Sequence, residues 1–189
     1  MNGQEQEPKG GGNNSTRSRR LDGYKLGMLH DARKILLMVI AGLLVLSLIF
    51  GVSRVDGVSM LDTLQNGELV FYTRLNPGGY RKGDIISIHL PSGEFYIKRV
   101  VATAGDEVDL RDGVLYINGV AETGSYVRNE TLPETGSVTY PLTVAEGDVF
   151  ALGDNRLESV DSRSFGPVNE RQISGTIRFS VGAFWIHFH

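Results

Sequence analysis

The chain has 189 residues, a formal net charge of −3 and no cysteine. The weak negative charge gives no reason to expect a nucleic-acid partner. The absence of cysteine excludes a disulfide, a thiolate nucleophile and a cysteine metal site. About 34 residues precede an apolar segment of roughly 18, which leaves about 135 residues, enough for a single hydrophobic core. The predicted organisation is therefore residues 1–34, 35–52 and 53–189.

The first predicted part is a basic tail. Residues 1–34 carry seven Lys/Arg against four Asp/Glu. Residues 1–20 are rich in Gly, Asn, Ser, Gln and Arg, a composition that cannot bury a core, so we expect this tail to be largely disordered. Residues 21–34 are expected to extend the helix that follows.

The second part, residues 35–52, contains no charged residue in eighteen positions. A membrane-spanning helix needs about 17–25 such residues. A buried core helix is one alternative, and a cleaved signal peptide is another. A signal peptide has a shorter apolar core of about 7–15 residues and a small-residue cleavage site, which the sequence Val-Ser-Arg-Val after this run does not provide. We interpret the segment as an uncleaved anchor. Basic residues dominate before it, so the N-terminus is expected in the cytoplasm and residues 53–189 outside.

Beyond Val55 the pattern changes to short β-type runs separated by turn signals. Asp112-Gly113 is a two-residue hairpin signal. The least patterned stretch, residues 124–144, is expected to be a surface loop or an inserted hairpin. Residues 177–189 are expected to form one closing strand. The fold class is therefore mostly β, an antiparallel sheet folded or closed on itself like a barrel, with predicted strands at residues 68–73, 84–90, 95–102, 108–111, 114–117, 148–152 and 175–181.

Two residues have the chemistry of a nucleophile and its base. Ser59 follows Gly57 in a turn, and this glycine is expected to let another backbone approach closely. Lys98 lies in an apolar strand, where desolvation should lower its pKa from about 10.4 toward neutrality. A neutral lysine can act as a general base for a serine. A solvent-facing or edge-strand lysine is the simpler reading of this strand alone, and only tertiary folding can bring the two residues together.

Four blocks of the chain, in order, resemble the bacterial type I signal peptidases of peptidase family S26, in their compact Gram-positive form. The resemblance covers nearly the whole chain, and the last block, a run of sixteen residues, is the most specific. The blocks are Ser59-Met60 with Thr63-Leu64, Lys82-Gly83-Asp84-Ile85, Tyr96-Ile97-Lys98-Arg99-Val100 with Gly105-Asp106, and residues 153–168.

The resemblance implies a membrane-anchored serine endopeptidase that removes N-terminal signal peptides from exported preproteins after sites of the Ala-x-Ala type. It implies no cofactor and no metal, and the four histidines (His30, His89, His187 and His189) have no metal-binding spacing. The implied partners are the exported preproteins with their signal peptides, the lipid bilayer and the secretion translocon. The implied place is the cell membrane, with a single span and an extracytoplasmic catalytic domain.

The resemblance also implies roles for individual residues. Ser59 would be the nucleophile, and its backbone N–H would be one oxyanion donor. Lys98 would be the base, and Ser159 would hydrogen-bond and orient the amine of Lys98. Some members have a serine hydroxyl as a second oxyanion donor where this chain has Gly57. Two structural ion pairs are implied, Arg99 with Asp154 and Arg163 with Asp161. The implied substrate-binding positions are Val55, Gly57, Met60, Leu64, Tyr96 and Ile97.

One departure from the family pattern is Asp62, which stands where the family usually has proline. A carboxylate facing Lys98 would stabilise the ammonium and raise the pKa of Lys98. We therefore predict that Asp62 points away from Lys98, or that the enzyme is slow or specialised.

Two other functions compete with the peptidase. A catalytically weak or inactive relative would act as a pilus or secretion assembly factor that holds a substrate without cutting it. A self-cleaving repressor with a Ser–Lys pair would need a DNA-binding head and no anchor, which is the reverse of this chain.

Overall fold

The computed structural model describes residues 13–134, 138–182 and 186–189. The chain divides between Leu46 and Ser47 into two compact units. The first contains most of one long helix, and the second contains the strands.

Helix α1 spans Asn13–Ile49, 37 residues. Its segment Met28–Ile49, 22 residues with a mean hydropathy of 2.3, is long and apolar enough to cross a membrane. The helix begins at Asn13, inside the predicted basic tail, and residues 1–12 lie outside the described part. The expectation that this tail is largely disordered stays a prediction. The helix ends before residue 52, because residues 50–52 pair with a strand instead.

The rest of the chain forms two antiparallel sheets, which confirms the mostly β, antiparallel fold. The strands are β1 Phe50–Arg54, β2 Leu69–Thr73, β3 Ile85–His89, β4 Phe95–Thr103, β5 Glu107–Arg111, β6 Val114–Ile117, β7 Val120–Ala121, β8 Leu142–Thr143, β9 Asp148–Leu152, β10 Val168–Asn169, β11 Ile173–Val181 and β12 Ile186–Phe188. A short helix, α2, spans Ser162–Phe165. The large sheet has the order β1-β2-β11-β3-β4-β9-β10, with β12 also paired to β11, and the small sheet has the order β7-β6-β5-β8.

All seven predicted strands are present, with ends shifted by no more than two residues. Strands β7, β8 and β10 were missed because two residues are too few to show an alternating pattern. Strand β1 was missed because its first residues continue the apolar run of the helix. The predicted single closing strand is corrected to two, since β12 pairs antiparallel with β11. Residues 124–144 are a loop with β8 near their end, and residues 135–137 of this stretch lie outside the described part.

Strand β4 positions the residues that matter most. It lies between β3 and β9, where Lys98 is opposite Ile86 and Arg99 is opposite Leu152. Because side chains alternate along a strand, Lys98 and Arg99 project to opposite faces of the sheet. The edge-strand reading of Lys98 is therefore wrong, since β4 is paired on both sides.

Candidate active site

The two residues with the chemistry of a nucleophile and a base meet in the folded chain. The Lys98 Nζ lies 2.7 Å from the Ser59 Oγ, within hydrogen-bond distance. Lys98 is 1% exposed, and its Nζ lies 5.4 Å from the centroid of the Tyr96 ring. Strand β4 thus positions the Lys98 amine beside the turn that contains Ser59.

Burial is the main influence on the charge of Lys98. It lowers the pKa of the amine from 10.5 to about 8, and Arg163 adds to this effect while the carboxylates of Asp161, Asp154 and Glu134 oppose it. An ammonium loses its hydration in such a site, so the neutral form is favoured. A neutral amine beside a hydroxyl can remove the hydroxyl proton, which is what a serine nucleophile requires.

The turn that carries Ser59 is held from two directions. The Gly57 N–H donates to Asn66 Oδ1 at 3.0 Å, and the Asn155 N–H donates to the Ser59 carbonyl at 2.9 Å. The expected close approach at Gly57 is wrong: a Cβ there would meet nothing within 4 Å, and the glycine is needed for its φ of +104°. The close approach occurs at Gly153, where a Cβ would lie 2.7 Å from the Ser59 carbonyl oxygen and would also clash with Ser159.

A buried ion pair ties strand β4 to the last sequence block and to the turn after Ser59. Arg99 donates through Nε and Nη2 to the two carboxylate oxygens of Asp154, both at 2.8 Å. Thr63 Oγ1 donates to the same carboxylate at 2.5 Å, and the Arg99 guanidinium lies 4.2 Å from the centroid of the Tyr126 ring. The pair implied by the motifs is present. Thr63 lies in the first motif block but was given no role, and Tyr126 was missed because an isolated Tyr has no distinctive sequence signal.

A second buried pair organises the far side of the site. Asp161, which is 0% exposed, accepts from Nε and Nη2 of Arg163 at 2.8 and 2.9 Å and from the Gly153 N–H at 3.1 Å. Ser159 Oγ donates to Asp161 at 2.7 Å, and within the described chain it makes no hydrogen bond to Lys98. The expected hydrogen bond between Ser159 and Lys98 is thus not present among the described residues. The hydroxyl proton of Ser159 is committed to Asp161, while the lone pairs of its oxygen could still accept from the amine.

The irregular segment 122–134 is fixed against the site rather than lying free on the surface. Arg156, which is 1% exposed, contacts Glu122 Oε2 at 2.7 Å and donates to Thr131 Oγ1 at 2.6 Å. Arg163 Nη1 donates to the Leu132 carbonyl at 3.0 Å. Sequence reasoning missed this segment because its residues show no period, and its order comes from contacts with distant arginines.

Asp62 points away from Lys98, as predicted. Its carboxylate pairs with Arg128 at 2.8 Å, and the two side chains are 84% and 46% exposed. The pair borders a cleft of about 530 Å³ lined by Asp62, Thr63 and Ser125 to Asn129.

Most of the apolar positions implied in substrate binding lie together. Val55, Met60 and Leu64 are buried in one cluster, and Ile97 packs against it while remaining half-buried. Tyr96 lies on the other face of β4, where its ring stacks on Phe165 at 6.0 Å. This ring borders the Lys98 amine rather than the apolar cluster.

The protein is thus mostly β, and its site places a buried amine beside a serine hydroxyl. The family model of signal peptidase, peptidase S26, matches residues 28–184. Signal peptidase I of Bacillus caldolyticus is 37% identical over 145 residues, which are 69% of this chain and 78% of that protein. Signal peptidase I of Bacillus licheniformis is 34% identical over 166 residues, 82% of this chain and 89% of that one. A crystal structure of a signal peptidase I from Enterococcus faecalis aligns with a TM-score of 0.44 and 35% identity over 53% of this chain and 98% of the other.

The chain belongs to the signal peptidase family, peptidase S26, a family of serine endopeptidases. The resemblance found in the four sequence blocks is thereby confirmed. The family assignment supports removal of signal peptides from preproteins, and the apolar segment of α1 is consistent with anchoring in a membrane.

The ion pair Arg99–Asp154 is largely shielded from solvent, whereas the pair Arg128–Asp62 is exposed. Comparing the two tests whether the first pair stabilises the fold around the site. Asp154→Asn should lower the free energy of unfolding by up to about 3–5 kcal/mol, because the guanidinium of Arg99, which is only 12% exposed, loses its countercharge. Asp62→Asn should change it by less than about 1 kcal/mol, because its pair with Arg128 is exposed. Thermal or urea unfolding of both variants in one detergent measures the difference. Equal effects of the two substitutions would contradict the scaffold role of the buried pair.

Proposed function

We propose that this protein is a membrane-anchored signal peptidase in which Ser59 and Lys98 form the catalytic dyad. The observation that carries the proposal is the 2.7 Å contact between Nζ and Oγ in a site that lowers the pKa of the amine to about 8. Neutral Lys98 removes the hydroxyl proton as Ser59 Oγ attacks the scissile carbonyl, and the Ser59 N–H stabilises the oxyanion. Lys98 then protonates the leaving amine, and water hydrolyses the acyl-enzyme by the same route.

We expect the cut to follow small residues, in sites of the Ala-x-Ala type. The cluster that contains Met60 and Leu64 is tightly filled, with these side chains 2% and 0% exposed. Ile97 is the half-buried member at the surface. A surface backed by such close packing offers shallow depressions rather than deep pockets, which favours alanine over larger side chains.

The anchor and the charges beside it support one orientation. Seven Lys/Arg lie in residues 1–34, and positively charged flanks remain in the cytoplasm. The domain that begins after α1 would then lie outside, where a translocated preprotein emerges. The bilayer and the secretion translocon are the partners that this arrangement implies.

The dyad is tested by cleavage of a preprotein with an Ala-x-Ala site in detergent or lipid. Wild type should cut it, whereas Ser59→Ala and Lys98→Ala should lose at least about 1,000-fold in kcat/KM, in line with the loss of a nucleophile or its base. Because only the neutral amine is a base, wild-type kcat/KM should rise with pH and reach half its maximum near pH 8. A rise centred near 10.5, or activity retained by Lys98→Ala, would exclude Lys98 as the base.

The alternative to a peptidase has its own outcome in the same assay. A wild-type protein that binds the preprotein without cutting it would indicate an assembly factor. A preprotein whose cleavage site carries large residues in place of the small ones should not be cut. If it is still cut, the proposed specificity is refuted and the proposed dyad is not.

The orientation is tested by labelling single cysteines, since the natural chain has none. Val120, which is 70% exposed, reports on the soluble domain, and position 4 reports on the N-terminal tail. A membrane-impermeant maleimide should label Val120→Cys in intact spheroplasts and should label Gln4→Cys only after lysis. The cysteine-free wild type is the control for background. The reverse labelling pattern would contradict the proposed topology.

A further inference from the structure

The backbone N–H of Ser59 is the group from which the inference starts. Within the described residues this N–H donates to no protein acceptor, although the carbonyls on both sides of it are hydrogen bonded. Position 57 is glycine, so no hydroxyl two residues before Ser59 is available as a second donor. A serine peptidase stabilises its oxyanion with donors that are already aimed before the reaction. The direction of this one N–H is therefore decisive for the reaction proposed above.

Asn155 fixes both carbonyls that flank this N–H. Its backbone N–H donates to the Ser59 carbonyl at 2.9 Å, and its side-chain Nδ2 donates to the Val58 carbonyl at 3.1 Å. Asn155 is 5% exposed. The two bonds come from one residue of the last sequence block and clamp the backbone on either side of the nucleophile.

The bond to the Val58 carbonyl sets the direction of the Ser59 N–H. The two groups belong to the same peptide unit, and in a trans peptide the C=O and the N–H point in opposite directions. An anchored Val58 carbonyl therefore turns the Ser59 N–H away from Asn155. The Leu61 N–H also donates to the Val58 carbonyl, at 3.2 Å, from within the same turn. Without the bond from Asn155, this single bond within the turn would hold the peptide unit, and the direction of the Ser59 N–H would be less well fixed.

Asn129 in turn fixes the amide of Asn155. Its Nδ2 donates to Asn155 Oδ1 at 3.1 Å, so the Nδ2 of Asn155 is left to face Val58. Asn129 has a φ of 69°, a conformation that asparagine tolerates better than most residues. The segment 122–134 thus reaches the nucleophile through two consecutive side-chain amides.

We propose that Asn155, oriented by Asn129, is a positioning residue that aims the Ser59 N–H at the oxyanion of the tetrahedral intermediate. The proposal rests on the function proposed above and extends it. The effect belongs to the transition state, because the negative charge on the carbonyl oxygen develops only there.

Asn155→Ala should lower kcat by on the order of 10- to 100-fold, less than the roughly 100- to 1,000-fold loss that follows outright removal of an oxyanion donor. KM and the pH at half-maximal kcat/KM should stay close to wild type, since the dyad itself is untouched. A substrate-like peptide aldehyde, which forms a tetrahedral adduct with Ser59, should bind more weakly by a factor similar to the loss in kcat. The matching peptide alcohol, which forms no adduct, should bind equally well to both proteins.

Asn129→Gly removes the second amide while permitting the same backbone conformation. It should lower kcat by a smaller factor than Asn155→Ala. The matched control is Asn118→Gly, since Asn118 also has a positive φ of 53° and bonds to Asp106 and Glu107 near the small sheet. This control should leave kcat unchanged. If Asn155→Ala fails to fold, the comparison of Asn129→Gly with Asn118→Gly decides the question.

Two outcomes would overturn the proposal. One is wild-type kcat in both Asn155→Ala and Asn129→Gly. The other is equal weakening of the aldehyde and the alcohol, which would indicate a general distortion of the site. Ser59→Ala distinguishes failure of the positioning role from failure of the proposed function. If Ser59→Ala is inactive while Asn155→Ala is fully active, the dyad stands and only the positioning role of Asn155 is refuted.

Discussion

Burial of the Lys98 amine against the Ser59 hydroxyl is the constraint on which the rest of the site depends. An ammonium group that is 1% exposed has lost nearly all of its hydration, and this loss favours the neutral amine. The proposed chemistry requires that loss, since a solvated lysine with a pKa of about 10.4 would be protonated at neutral pH and could not serve as a base. The surrounding fold has to supply an apolar environment and still hold a hydroxyl 2.7 Å away.

Buried ion pairs keep the charges near this amine in balance and keep its surroundings rigid. Asp154 is committed to Arg99, and Asp161 is committed to Arg163 and Ser159. Each carboxylate is 0% exposed and accepts hydrogen bonds from its own donors. Both carboxylates raise the pKa of Lys98, but burial of the amine lowers it by more. The same residues fix the backbone at Gly153 and at the turn after Ser59. One network therefore serves both the electrostatics and the geometry.

The sequence allowed seven strands and the long apolar helix to be predicted because each has a local signal, either alternation or an uncharged apolar run. Ser59 and Lys98 were singled out by their motifs, and their catalytic roles stay a prediction. The sequence allowed the pairs Arg99–Asp154 and Arg163–Asp161 to be inferred only through the family resemblance. The bond from Ser159 to Asp161, the clamp by Asn155 and the contacts of segment 122–134 were not predicted. These hydrogen bonds depend on which donors and acceptors the folded chain brings together, and no local sequence pattern contains that information. Gly57 was expected to allow a close approach of another backbone, but it is required for its positive φ. Both situations favour glycine, so the sequence cannot distinguish them.

The measurement that tests the central claim most directly is the titration of the Lys98 amine itself. The chain has five lysines, so side-chain ¹⁵N or ¹³Cε NMR of lysine-labelled protein can follow each one, with Lys98 assigned by the signal lost in Lys98→Met. Because burial disfavours the ammonium, the Lys98 resonance should titrate with a pKa of about 8 while exposed lysines remain near their usual value of about 10.4. Titration of Lys98 together with the other lysines would contradict a buried neutral base.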